Sequence, residues 1–127
     1  MTRTSIHIDG LSHRNPIPAA SRVGNVIMSG IIGGVDPATG ELPESVDAQC
    51  AFMFEHMRAI VEAGGGGVGD IVKVTVYLAD HGSRDALNRE WLAMFPDSAD
   101  RPARQAMPGT PNPERLIECD FVAVVGG

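Results

Sequence analysis

Ile71-Val-Lys-Val-Thr-Val-Tyr-Leu78 is the stretch on which the fold turns. Its residues are mostly β-branched or aromatic, types that suit a pleated, half-buried surface, and Lys73, Thr75 and Tyr77 alternate onto one face. A strand is predicted here. Immediately upstream the period changes. Val46, Cys50, Met53, Phe54, Met57, Ile60 and Val61 recur at spacings of three and four, giving a helix over 45–63 with one apolar stripe. Ser45 suits the N-cap and Asp47 the first turn. Gly64-Gly-Gly-Gly67 stops this helix by offering a left-handed cap. The glycines do not read as a phosphate cradle, because no Lys-Ser/Thr follows and no helix begins there. Downstream, Leu87, Trp91, Met94 and Phe95 mark the buried side of a second helix over about 83–95.

Farther out lie the remaining strands. Leu116–Val125 places Ile117, Cys119, Phe121, Ala123 and Val125 on one face, with Glu118 and Asp120 on the other. Residues 22–32 read as one or two strands bent near Gly30, followed by the turn Asp36-Pro-Ala-Thr-Gly40. The Pro-rich stretch 102–113 is extended or looped. The order β-β-α-β-α-β predicts an α+β domain over 1–127, a mixed sheet with two helices on one face. Its other face needs cover, which further subunits would supply.

At 127 residues and 43% hydrophobic, the chain can bury a core of ordinary size. Nothing approaches eighteen consecutive apolar residues, and Met1-Thr-Arg-Thr-Ser-Ile-His7 lacks the apolar core of a signal peptide. A cytoplasmic protein without a membrane partner is expected. Net charge is −6 with Lys and Arg scattered, which argues against nucleic acid as a partner, since phosphate neutralisation supplies most such affinity. Cys50 and Cys119 stand far apart among apolar residues and read as buried, reduced thiols, and no metal-ligand spacing appears.

One pair of residues can carry chemistry. Arg104 ends an Arg-Pro-Ala-Arg segment, and Glu118 stands early on the final strand. A planar guanidinium can clamp a carboxylate at two points, and a carboxylate can orient or activate a water. A purely structural ion pair of Arg104 with Glu118 or Asp120 is the reading that the bare residues favour, and no spacing can place the two side chains together. His56, inside the first helix, and His81, at a strand end, read as solvated or capping. His7 and His13 lie in the N-terminal segment. Ser29 and Ser83 have no evident His/Asp partners.

Arg22-Val-Gly-Asn25 leading to Ser29-Gly30, Asp36-Pro-Ala-Thr-Gly-Glu-Leu42, Val68–Leu78, Leu87-Asn88, Arg101-Pro-Ala-Arg104 and Ile117-Glu118 together resemble, in order, the RidA (YjgF) family. The resemblance implies a chorismate-mutase-like fold and a homotrimer whose three sheets form a barrel, with ligand clefts between subunits. It implies hydrolytic deamination of small 2-enamine and 2-imine acids without cofactor or metal. By position, Arg104 matches the arginine that grips the substrate carboxylate and Glu118 the glutamate that holds the attacking water. Ser29 and Asn88 match lesser cleft positions. The sequence departs from the family where Ile17 stands in place of a tyrosine and Ala106 in place of a cysteine. The runs Asn25–Ser29 and Arg104–Glu118 are each one residue shorter. The alternatives are a trimeric carboxylate-binding or chaperone-like protein without turnover, and a hydrolase of a specialised catabolic intermediate. The endoribonuclease label attached to parts of the family sits poorly with the acidic balance.

Overall fold

Alternation along Ile71–Leu78 is broken once. Ile71, Val74, Val76 and Leu78 are buried, and the register shifts between Ile71 and Lys73, so Val72 bulges out and Lys73, Thr75 and Tyr77 share the opposite face. This strand lies inside a single mixed sheet. The computed structural model describes residues 2–11, 14–80, 83–109 and 112–126. His13 and His81 lie outside the described residues.

Among the described residues the elements are β1 (Thr4–Ile6), β2 (Ala20–Val23), β3 (Val26–Ser29), β4 (Ile32–Gly33), α1 (Val46–Ala63), β5 (Ile71–Leu78), α2 (Arg84–Met94), β6 (Ala103–Pro108) and β7 (Ile117–Val124). The strand order is β1-β2-β3-β7-β5-β6, with β4 also pairing β7. Only β5 and β6 run parallel, and α2 is the crossover that a parallel pair requires. The expected architecture of a mixed sheet with two helices therefore holds.

Three local details differ from the reading of the sequence. The stretch 20–33 makes three strands, because Gly24 takes φ +58° at the first central position of a two-residue hairpin turn joining Val23 to Val26. A further short strand, Thr4–Ile6, adds to this hairpin. The Pro-rich stretch contains a regular edge strand, β6, whose prolines fall before it and at its last residue.

The core lies between the helices and one sheet face: Cys50, Met53, Met57, Ile60 and Val61 of α1 meet Ile27, Val74, Val76, Cys119 and Phe121. Ser45 caps α1, its side chain accepting from the Ala48 N–H at 3.1 Å. At the other end Gly64 stays right-handed and Gly65, at φ +94°, makes the turn. His56 is buried rather than solvated, and its Nε2 donates to the Val35 carbonyl at 2.6 Å. The cause is Gly34, which lets the 33–35 segment press directly on the Gln49 backbone. The other sheet face carries Val26, Met28, Met107 and Val124, all substantially exposed.

Candidate functional site

Two polar clusters emerge, one on each face of the sheet. The register sets Arg104 beside Val74, and Val74 beside Phe121. Both neighbours are buried on the helix face, so the Arg104 side chain leaves the sheet toward α2. Its guanidinium lies over the Trp91 ring, 4.9 Å from the centroid, while Trp91 meets Phe95 edge-on. Burial, reinforced by the nearby Arg84 charge, lowers the Arg104 pKa, though guanidinium stays cationic at physiological pH. Nη1 is buried and unpartnered, and among the described residues Arg104 makes no ion pair. The structural pairing with Glu118 or Asp120 that spacing allowed is absent.

Glu118 stands opposite Tyr77 on one side and Gly33 on the other. It shares the open face with Tyr77 and is only 4% exposed. Oε2 accepts from Arg115 Nη1 at 2.9 Å, and Oε1 is buried without a partner. Asp120, next on this face, accepts from the Tyr77 hydroxyl at 3.0 Å, a bond that raises the tyrosine pKa. Arg104 and Glu118 are separated by two strand spacings and three residues of register, about 10 Å in each direction, and point from opposite faces. One chain does not bring them together.

The lesser positions divide similarly. Asn88 is exposed on α2, one turn before Trp91, and so lies along the same side of the helix as the Arg104 contact. The Ser29 hydroxyl accepts from the Phe121 N–H at 2.9 Å and closes the ladder where β3 leaves β7. Ile17 is half-exposed in the β1–β2 connection. Neither cysteine is a nucleophile. Burial pushes the Cys50 thiol up to about 12 and raises Cys119 as well, so both stay protonated.

Two residues of the site escaped the reading of the sequence. Arg115 stands three residues before Glu118, a spacing that hinted at a pair. Gln49 is buried beside Cys50 on the apolar stripe of α1, and a polar residue on such a stripe signals a partner. Its Nε2 donates to the Pro43 and Glu114 carbonyls at 2.7 and 2.9 Å, and its Oε1 accepts from the Leu116 N–H at 3.0 Å.

The sequence profile of the family described as Endoribonuclease L-PSP matches residues 14–125. The 2-iminobutanoate/2-iminopropanoate deaminase of Salmonella typhimurium is 42% identical over 101 residues, 78% of this chain and 78% of its own. The protein of the same name from Escherichia coli K12 is 38% identical over 104 residues, 80% of this chain and 81% of its own. The crystal structure of RidA from the Antarctic bacterium Psychrobacter sp. superposes with a TM-score of 0.86 at 31% identity, covering 96% of this chain and 99% of that one.

Proposed function

Because the chain belongs to the RidA (YjgF) family, described as Endoribonuclease L-PSP, we propose that it is a cofactor-free hydrolase of small 2-imine and 2-enamine acids. The products are the 2-oxo acid and ammonia. The observation that carries this reading is the pair of buried, unpartnered polar atoms, Arg104 Nη1 and Glu118 Oε1. Leaving such groups unsatisfied costs roughly 1–3 kcal/mol each, and a bound carboxylate and a bound water would satisfy them in turn.

In the proposed reaction Arg104 takes the substrate carboxylate, while the Trp91 ring holds the guanidinium plane from behind. Glu118 Oε1 accepts a proton from water as the water oxygen bonds to C2 of the imine. The nitrogen takes that proton back from Glu118 and a second from the new hydroxyl as the carbon–nitrogen bond breaks, its electron pair leaving with ammonia while the hydroxyl oxygen becomes the 2-oxo group. An imine is already electrophilic, so orientation and a placed water suffice, and such placement is worth several kcal/mol. The tied hydroxyl of Ser29 and the protonated cysteines fit a mechanism without a covalent intermediate.

Since the two half-sites occupy opposite faces, each complete site takes Arg104 from one copy and Glu118 from another. The apolar open face of Val26, Met28, Met107 and Val124 supports burial between copies, and we assign a homotrimer. Net charge −6 argues against RNA as the partner, and Arg104 is the cation that would receive a small carboxylate. Among the described residues no helix is long and apolar enough to cross a membrane.

The test is ammonia release from freshly generated 2-iminobutanoate. Release well above the spontaneous rate upholds the proposal. Tight 2-oxo acid binding with no added release would establish a carboxylate-binding protein instead, the reading favoured by Ile17 standing where the family carries a phenol.

A further inference from the structure

Among the described residues Arg115 differs from Arg89, whose ion-pair partner Asp47 is exposed. The Arg115 guanidinium is partly covered, with 41% of the side chain exposed, yet it meets a carboxylate that is almost entirely buried. An ion pair between two mobile surface side chains contributes little, because ordering both offsets the attraction. Here both ends are fixed beforehand. Glu118 is locked in the middle of the sheet, between β4 and β5. The peptide groups flanking Arg115 are gripped by one side chain, Gln49, which donates to the Glu114 carbonyl and accepts from the Leu116 N–H. The guanidinium then lies against Gly33, the residue paired with Glu118. A Cβ on Gly33 would come within 3.0 Å of Arg115 Nη1, so glycine leaves the space the guanidinium occupies.

The consequence for Glu118 is directional. A free carboxylate presents two equivalent oxygens and rotates between them. In this structure Oε2 is engaged at 2.9 Å and Oε1 is buried with no partner. We propose that Arg115 is a positioning residue for the hydrolytic reaction. Anchored by Gln49, it clamps one oxygen of Glu118 and leaves the other as the single acceptor for the attacking water. This rests on the imine-hydrolase reading and adds to it a residue that acts through Glu118, without touching the substrate.

The test is a double-mutant cycle on the intact protein with Arg115→Met, Glu118→Gln and the pair, together with Arg115→Lys. Ammonia release, 2-oxo acid binding and thermal unfolding are read for each. Arg115→Met is expected to lower kcat by about thirtyfold, with KM and 2-oxo acid affinity within about twofold of the wild type. In the Glu118→Gln background the same change should cost less than about twofold, and lysine at 115 should restore part of the loss. Full kcat in Arg115→Met overturns the proposal. So does a loss undiminished in the Glu118→Gln background, or a rise in KM with kcat intact, which would place Arg115 on the substrate. A wild-type chain that releases no ammonia overturns the imine reading itself and removes Arg115's catalytic role. Melting then decides the clamp alone, coupled shifts upholding it and additive shifts overturning it.

Discussion

A guanidinium held against an indole ring with a buried, unpaired nitrogen sits in a costly position unless something else completes it. Arg104 is in this position, and its geometry makes a sharp test possible. Lysine keeps the charge but loses the two-point fork that a carboxylate needs. Arg104→Lys should fold and melt near the wild-type temperature, bind 2-oxo acids roughly tenfold less tightly and lose on the order of a hundredfold in imine turnover. Unchanged binding and turnover would leave Arg104 as a packing residue for α2. Arg104 and Glu118 could be singled out in the sequence because each is a residue type with a definite chemical use beside an otherwise apolar or Pro-rich run. Their placement on opposite faces could not. It depends on the register that β5 imposes on β6 and β7, and no spacing within one chain reports a register between strands.

At the scale of the elements, periodicity decided what could be read. α1 and β5 repeat their apolar residues at 3.6 and 2 and were legible almost to the residue. β6 has no such signal, since five of its six residues are exposed and it is a strand only because β5 offers an edge for the returning chain. Hairpin β2–β3 was blurred because its turn, Gly24-Asn25, sits inside a run of apolar residues. The connection into β7 was opaque for a different reason, its anchor being 65 residues away on α1. Replacing Gln49 with Leu keeps the volume and removes three hydrogen bonds, leaving two carbonyls and one N–H poorly satisfied. A loss of about 2 kcal/mol is expected, seen as a fall of roughly 8 °C in Tm by calorimetry. A melting temperature unchanged within a degree would show that water replaces the amide at this junction.

For the whole molecule the open sheet face matters most. Met28 is its most exposed apolar residue, at 57%, and in the proposed trimer a carboxylate there would be buried unpaired between copies. Light scattering of the wild type should give three times 13.4 kDa, and Met28→Glu should give the single-chain mass with helix content retained. A trimeric Met28→Glu would place the interface elsewhere. The division of the half-sites between two faces carries a consequence of its own, one that belongs to genetics as much as to geometry. If every functional unit draws its arginine from one copy and its glutamate from the next, two crippled alleles can rescue one another. Chains carrying Arg104→Lys and chains carrying Glu118→Gln, each strongly impaired when purified apart, should regain activity when unfolded and refolded together. Random assortment leaves about one quarter of the clefts with both native groups, so about a quarter of wild-type turnover should return. Were both groups supplied by the same polypeptide, no mixture of the two would ever exceed its parents.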